Sequence, residues 1–138
     1  MPTQYGALTY EGNPPASGSW REGFPVGERL FFECGPFTTD SGFKFEQIRV
    51  AYQTWGELNP EGSNAIYIAH ALTGDSHATG EAGPGHKTGG WWSSLVGPGA
   101  PIDTDTYFVV CANVLGGCQG TTGPSSLSPE SKPWGSRF

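Results

Sequence analysis

The sequence predicts an α/β fold built on a mixed β-sheet, for which this chain supplies mainly strands. Residues 64–69 and 107–112 are short apolar runs rich in β-branched and aromatic residues, which predict strands buried in a sheet. Glu28–Cys34 and Phe43–Trp55 predict two more strands, joined by a hairpin turn containing Gly, Pro and Asp. Only residues 91–96 suggest even a turn or two of helix. Apolar strands need cover on both faces, so we expect the amino-terminal piece of a larger α/β fold.

Composition predicts long ordered loops on a small apolar framework. The chain has 138 residues, enough for one ordinary domain, and its 22 Gly and 12 Pro make up about a quarter of it. Aromatic residues account for 13%, which argues against simple disorder. Residues 1–27 are rich in Gly, Pro and Ser with little apolar pattern, so we predict a flexible amino-terminal arm there. The folded part is then residues 28–138.

Charge and cysteine content exclude several classes of partner. The net charge is −6 and no cluster of Lys or Arg occurs, which weighs against nucleic acid and anionic membranes as partners. The sequence contains neither a long apolar span nor a basic-then-apolar signal pattern, so we expect no membrane association. Three cysteines without a C-x-x-C pair favour a reducing compartment. We therefore expect a cytoplasmic protein.

The most informative segment is His70–His77, which directly follows the predicted strand 64–69. Ligands of open α/β sheets bind at the carboxyl ends of the strands. A turn of small residues at that edge can point free backbone N–H groups into a cleft, where they stabilise an oxyanion. A second Gly-rich loop, residues 116–126, follows the strand at 107–112 in the same way.

The residues themselves leave the identity of a nucleophile open. Gly74-Asp75-Ser76 resembles the nucleophile block of Gly-Asp-Ser-Leu esterases, in which Ser76 would attack, although position 77 is His and no Asp-x-x-His pair occurs. The G-x-S-x-G elbow of α/β-hydrolases is absent from the 138 residues. The chain therefore offers oxyanion donors without an elbow nucleophile. A non-catalytic binding module is the remaining alternative.

We expect no metal site. His70, Asp75, His77 and His86 are the candidate ligands, but His70 and His77 lack helical i, i+4 spacing and no thiol lies beside them. The alternative interpretation is that His70 packs and hydrogen-bonds under the loop. His77 and His86 are then polar groups of the loop.

Six segments, in order from about residue 28 to the end, together resemble homoserine O-acetyltransferases. They are Tyr52–Gly56, His70–His77, Gly90–Trp92, Gly97–Thr104, Asn113–Ser126 and Lys132–Phe138. Each segment is weak evidence alone, whereas the ordered set is specific.

The resemblance implies an α/β-hydrolase fold with an added helical lid, of which this chain matches the part through the fourth strand and the loop beyond. In the family, the nucleophilic Ser stands on an elbow reading Gly-Gly-Ser-Met-Gly-Gly. That elbow, the Asp and His partners, the lid and a substrate-binding Arg would follow residue 138. We therefore expect the fold to be incomplete, and the chain inactive, without a carboxyl-terminal part.

The implied reaction is transfer of an acetyl group from acetyl-CoA to the hydroxyl of L-homoserine, in methionine biosynthesis, by a ping-pong Ser-His-Asp mechanism. Acetyl-CoA is a co-substrate, and no permanently bound cofactor is implied. A succinyl donor or a serine acceptor stays open as a variant. Family members are often dimers, so a homodimer is an expected assembly, although this stretch leaves the oligomeric state open.

The resemblance also implies roles for individual residues. The backbone N–H of Leu72 would supply one oxyanion donor, and the loop tryptophans Trp91 and Trp92 would keep water out. The residues implied to line the substrate pocket or its approach are Ala71, Thr73, Asn113, Gly123, Pro124, Ser125 and Ser126.

Overall fold

The computed structural model describes residues 2–5, 8–11 and 18–138. The described residues form strands and one short 3-10 helix. The strands are β1 (Pro2–Tyr5), β2 (Leu8–Glu11), β3 (Leu30–Cys34), β4 (Phe37–Thr38), β5 (Lys44–Phe45), β6 (Ile48–Trp55), β7 (Ala65–Ala69), β8 (Val96–Gly97), β9 (Ile102–Asp103) and β10 (Phe108–Ala112), and the 3-10 helix is Gly135–Arg137. No helix in this described part is long and apolar enough to cross a membrane.

Four of these strands make a mixed sheet in the order β3-β6-β10-β7. Strand β10 runs antiparallel to β6, with Cys111 opposite Gln53, and parallel to β7, with Cys111 opposite Ile68. The sheet uses all four predicted strands, which confirms the predicted mixed sheet. The parallel β7–β10 pair places the carboxyl ends of both strands at the same edge.

The second predicted strand was wrong in one respect, because Phe43–Trp55 is two strands with a break at residues 46–47. Phe45 and Ile48 are both buried, and they differ in parity along the chain. Burial of both does not by itself require the break, because β6 also buries Ile48 and Ala51, which differ in parity, and is therefore covered on both faces. The shift from odd to even apolar positions was a signal in the sequence.

The predicted hairpin turn is also displaced. Strands β4 and β5 pair antiparallel, with Phe37 opposite Phe45, so the turn lies at residues 39–42. The Gly42 N–H donates to the Thr39 carbonyl at 2.9 Å, and the Phe43 N–H donates to Thr39 Oγ1 at 3.0 Å. Gly42 has a φ of 85°, a conformation that glycine adopts readily.

The chain divides into two compact units. The first comprises residues 1–25, 31–51 and 113–138, and the second comprises residues 26–30 and 52–112. In the first unit, Phe45 packs against the rings of Phe43, Trp134 and Phe138. The buried cluster of the second unit consists of Ile68, Ala78, Val96, Val109 and Cys111, with Trp55, Ile66 and Ile102 packed against it.

Strand β7 is covered on one face only in the described part of the chain. Ile68 is 4% exposed and Ile66 packs against the same cluster, whereas Ala65, Ala69 and Tyr67, which is 64% exposed, point the other way. This is the bare face expected of apolar strands that lack helical cover.

The predicted arm over residues 1–27 stays a prediction. Residues 1, 6–7 and 12–17 lie outside the described residues, while β1 and β2 pair antiparallel with each other. Trp20 and Arg21 are buried, and the Trp20 N–H donates to the Cys118 carbonyl at 2.9 Å.

Replacing Gly56 by alanine should destabilise the protein strongly. Gly56 has a φ of 75°, and a Cβ there would lie 2.2 Å from the Tyr107 carbonyl oxygen. Gly62 → Ala is the matched control, because Gly62 has a φ of 67° with open space around it. Conformational strain alone predicts a loss of about 1–2 kcal/mol at Gly62, and strain plus overpacking predicts about 2–5 kcal/mol at Gly56.

The measurement is the free energy of unfolding from urea titrations of both variants and the unmodified protein. Equal losses in the two variants would show that the backbone approach at Gly56 is unimportant.

Candidate active-site loop

A closed turn follows β7 at the edge where β7 and β10 end. The Gly74 N–H donates to the Ala71 carbonyl at 2.8 Å, which puts Leu72 and Thr73 at the two central positions of a four-residue turn. His70 Nδ1 lies 2.7 Å from the same carbonyl oxygen. Because a carbonyl only accepts hydrogen bonds, Nδ1 of His70 carries the proton.

Leu72 lies at the tip of this turn. Its side chain is fully exposed, and its backbone N–H donates to no group of the described residues. The N–H at the first central position of a turn lies outside the hydrogen-bonded ring, so it is free to bind another acceptor. This geometry suits the predicted oxyanion donor.

Asp75 fixes the chain directly after the turn. Its carboxylate Oδ1 accepts the His77 N–H at 2.8 Å, and its carbonyl oxygen accepts the Trp91 indole N–H at 2.9 Å. The Cys111 thiol donates to the same carbonyl at 3.7 Å. Burial, and next the charge of Asp75, raise the pKa of Cys111 to about 11, so this thiol stays protonated and acts as a donor.

His77 lies buried between the sheet and the later part of the loop. Its Nδ1 is 3.1 Å from Gln53 Oε1 on β6, and its Nε2 is 3.2 Å from the Glu81 carbonyl oxygen. His86 stacks on the ring of His77, with 3.8 Å between the ring centroids. The two histidines are 4% and 6% exposed, so describing them as loop polar groups misses their burial.

His86 is held in the neutral form. Its Nε2 accepts the Glu28 N–H at 3.0 Å, which requires an unprotonated nitrogen. Burial first, then the neighbouring His77 and Arg29, lower the pKa of His86 to about 4. The guanidinium of Arg29 donates to the Gly85 carbonyl at 2.6 Å.

Two cavities adjoin this loop within the second unit. One, of about 220 Å³, is lined by Ala71, Thr73, Gly74, Asp75, His77, Thr88, Gly89 and Trp91. The other, of about 490 Å³, is lined by residues 27, 28, 30, 53–55, 79–84 and 86. The smaller cavity includes two of the predicted pocket residues, Ala71 and Thr73.

The remaining predicted pocket residues lie in the first unit. Asn113 is buried directly after β10, its N–H donates to the Ala51 carbonyl at 2.8 Å, and its carbonyl accepts the Thr121 hydroxyl at 2.7 Å. Its Nδ2 is buried without an acceptor among the described residues. A buried amide without a partner is costly, so an acceptor from water or a ligand would be favourable there.

Residues 123–126 form a closed turn. The Ser126 N–H donates to the Gly123 carbonyl at 2.9 Å, and the Gly123 N–H donates to Ser126 Oγ at 3.0 Å. A Cβ at Gly123 would lie 2.3 Å from the Gly117 carbonyl oxygen, so the turn requires glycine there. Pro124 is exposed and Ser125 is buried. The assignment of these residues to a substrate pocket stays a prediction.

The esterase alternative is not supported at Ser76. This serine is fully buried, and its hydroxyl has no partner among the described residues. A nucleophile must reach its substrate, whereas this hydroxyl is closed off from solvent and lines neither of the two cavities beside the loop. In the part of the chain that the structure describes, no group of three His, Cys, Asp or Glu side chains could hold a metal ion.

Sequence reasoning missed the buried contact between Gln53 and the candidate loop. The predicted alternation placed Gln53 on the polar face of its strand, opposite the face of Ile48, Val50 and Tyr52, so the sequence carried no local signal of its burial. Gln53 is 2% exposed, and its partner is His77, 24 residues away. No spacing rule could have identified that pairing.

Comparison with known proteins tests the family resemblance. The sequence matches no family model. It is 60% identical over 127 residues to homoserine O-acetyltransferase of Clavibacter michiganensis subsp. michiganensis, covering 92% of this chain and 33% of that protein. It is 58% identical over 127 residues to the enzyme of the same name from Leifsonia xyli subsp. xyli, covering 92% and 32%.

The resemblance to homoserine O-acetyltransferases is confirmed. The chain spans about a third of the length of the curated relatives it matches. Among solved structures, it is similar to homoserine O-acetyltransferase from Bacillus anthracis, with a TM-score of 0.69 and 33% identity over 80% of this chain and 31% of that one. It is also similar to esterase E22, with a TM-score of 0.70 and 36% identity over 80% of this chain and 32% of that one. These neighbours also confirm the predicted part of an α/β-hydrolase fold.

Acidification should weaken the fold through His86. The pKa of His86 is about 4 in the folded state, against an unperturbed value of 6.5. Its neutral form therefore stabilises the fold fully above pH 6.5, and this contribution is lost as the pH falls from 6.5 toward 4. His86→Gln keeps an acceptor for the Glu28 N–H without titrating. Relative to this variant, the unmodified protein should lose on the order of 1–3 kcal/mol across that range.

Unfolding free energies measured at pH 7.5, 5.5 and 4.5 for both proteins provide the check. Parallel pH dependence of the two would contradict the assignment of a neutral, buried His86.

Proposed function

We propose that this chain forms the amino-terminal third of an enzyme that transfers acetyl from acetyl-CoA to the hydroxyl of L-homoserine. The observation that carries the proposal is the exposed residue Leu72, whose N–H has no acceptor among the described residues, at the edge where β7 and β10 end. Backbone donors fixed at this edge stabilise negative charge on the oxygen of a tetrahedral intermediate. The 60% and 58% identical relatives, both named for this reaction, support the choice of substrates.

The reaction proceeds in two displacements. A serine elsewhere in the full-length protein attacks the thioester carbonyl and passes its proton to a histidine, while Leu72 N–H and a second N–H beside that serine bind the oxyanion. The C–S bond breaks, and CoA leaves as the thiol with the proton from the histidine. The γ-hydroxyl of homoserine then gives its proton to the histidine and attacks the carbonyl of the acyl-serine. The bond between the acyl group and the serine breaks, O-acetyl-L-homoserine leaves, and the histidine returns the proton to the serine.

The loop residues also serve to exclude water, which would otherwise hydrolyse the acyl-enzyme. Trp91 is suited to this role because its indole N–H is tied to the Asp75 carbonyl and its ring lines the 220 Å³ cavity. We also propose that the protein acts in the cytoplasm, in methionine biosynthesis, and that it assembles as a homodimer.

Ester hydrolysis is the second candidate function. The similarity to esterase E22 favours it, because its 36% identity and TM-score of 0.70 are slightly higher than the 33% and 0.69 of the Bacillus anthracis enzyme. The two functions share the serine, the histidine and the oxyanion donors, and they differ only in whether homoserine or water attacks the acyl-enzyme. The higher identity to the curated transferases favours homoserine.

The deciding assay joins this chain to the remaining two thirds of its Clavibacter michiganensis relative. With acetyl-CoA, we expect rapid CoA release that depends on L-homoserine, and O-acetylhomoserine formed in a one-to-one ratio with free CoA. Succinyl-CoA and L-serine are the matched alternative substrates. Release of acetate at the same rate with and without homoserine would instead establish the hydrolase.

Removing the backbone donor at Leu72 should abolish most of the activity. Leu72→Pro deletes the N–H, and proline suits the first central position of a turn, so the loop is preserved. Loss of one oxyanion donor predicts a fall in kcat of about 100- to 1,000-fold. Leu72→Ala is the control, because the exposed side chain is dispensable and the N–H remains.

Both variants are made in the chimera and assayed by acetyl-CoA cleavage, and their folding is checked by circular dichroism. Equal activity of the proline and alanine variants would exclude Leu72 N–H from the oxyanion hole.

A further inference from the structure

Gln53 belongs to a row of side chains that crosses the sheet next to the candidate catalytic edge. It lies opposite Cys111 on β10, and Cys111 lies opposite Ile68 on β7. Residues directly opposite each other on neighbouring strands project from the same face of the sheet. Cys111 and Ile68 are the next-to-last residues of their strands, so the row lies one residue before the loop begins.

The row holds the loop at two positions. The Cys111 thiol donates to the Asp75 carbonyl at 3.7 Å, and Gln53 Oε1 lies 3.1 Å from Nδ1 of His77. A thiol is a weak donor, so the Gln53–His77 bond is the stronger connection between sheet and loop. Asp75 and His77 both lie within five residues after Leu72. The closed Ala71–Gly74 turn therefore transmits the position of these two residues to Leu72.

Hydrogen-bond chemistry explains why glutamine suits this position. The Glu81 carbonyl accepts from His77 Nε2, so Nε2 carries a proton. If the His77 ring is neutral, its Nδ1 is an acceptor and Gln53 must donate its amide N–H to it. If the ring is an imidazolium, its Nδ1 donates and Gln53 Oε1 accepts. A 180° rotation of the amide satisfies either form, which neither an apolar side chain nor a carboxylate does.

We propose that Gln53 is a positioning residue for the oxyanion donor, acting through His77 on the turn that presents Leu72. The proposal rests on the acyl-transfer function proposed above, and it concerns any acyl-enzyme chemistry at this site. Gln53 is 2% exposed, and in this proposal it acts through His77 and not by direct contact with the substrate. It sets the direction of the Leu72 N–H, which must lie within hydrogen-bond distance of the developing oxyanion.

The proposal predicts a selective effect on the chemical step. Gln53→Met keeps the length of the side chain and removes both hydrogen-bonding groups. We expect kcat for acyl-enzyme formation to fall about 10- to 100-fold, as a displacement of about 1 Å does. The KM for acetyl-CoA should change less than about twofold, because an interaction made only in the transition state lowers kcat and kcat/KM together.

The experiment uses the full-length chimera, with active sites counted by a serine-reactive phosphonate. Gln53→Glu keeps an acceptor but cannot donate to an unprotonated Nδ1, so its kcat should fall between those of Gln53→Met and the unmodified chimera. Tyr52→Phe, on the adjacent residue of β6, controls for general disturbance of the strand and should leave kcat unchanged. Unchanged kcat per titrated site in Gln53→Met, or a rise in KM without a fall in kcat, would overturn the proposal.

A double-mutant cycle with Leu72→Pro tests the route of action. If Gln53 acts through Leu72 N–H, Gln53→Met has no further effect once that donor is gone. An equal fold-loss in both backgrounds would show that Gln53 acts elsewhere and would overturn the proposal.

The assignment of homoserine as substrate can fail while the positioning role of Gln53 still holds. If homoserine accepts no acetyl group while an acetyl ester is hydrolysed, the transfer function is wrong and the cycle is run on ester hydrolysis. A chimera that is folded and neither titrates with the phosphonate nor cleaves either substrate would overturn both proposals.

Discussion

Burial of His77 between β6 and the Glu81 segment is the constraint on which the candidate site depends. An imidazole with both nitrogens removed from water must find partners for both, and it finds them on two separate parts of the chain, at Gln53 and at the Glu81 carbonyl. The ring therefore fixes the distance between the sheet and the long glycine-rich connection. His86 stacks on it and is held neutral by burial and by nearby positive charge, so the histidine pair stays compact. The turn that carries Leu72 lies five residues before His77, close to this pair along the chain.

The site combines a rigid anchor with an exposed tip. Asp75, Ser76 and His77 are half-buried or buried, whereas Ala71, Leu72 and Thr73 are exposed one turn earlier. Such a gradient suits a backbone donor, because an N–H already paired within the protein could not bind an oxyanion, and an N–H on a loose loop would lose much of its effect. The chain separates the two requirements over six residues.

The sequence predicted the parts of the fold that depend on apolar periodicity. The runs at 64–69 and 107–112 became β7 and β10 with their bounds shifted by a residue at the start, because a buried apolar strand leaves a local signature. The apolar residues change from odd positions up to Phe45 to even positions from Ile48 onward, which coincides with the break between the two strands. This change was overlooked because Phe43–Trp55 was treated as one alternating segment. The exposed turn at Leu72 was predicted from its position after a strand together with the family resemblance.

The buried polar network could not be predicted in the same way. Gln53 and His77 are 24 residues apart, and Glu28 reaches His86 across 58 residues. Each of these side chains is unremarkable in its local segment, and its partner is determined by how the strands align. Histidines in a loop rich in glycine are typical of surface groups, and only the tertiary packing encloses these two.

Strand β7 lies at one end of the sheet order and, in the described part of the chain, pairs only with β10. Its outer edge carries unsatisfied main-chain groups, and its Tyr67 side presents apolar surface to water. Exposed strand edges of this kind readily pair with other chains. As long as nothing lies against β7, this edge and its apolar face are therefore a site for pairing between chains, which makes intermolecular association a hazard during folding.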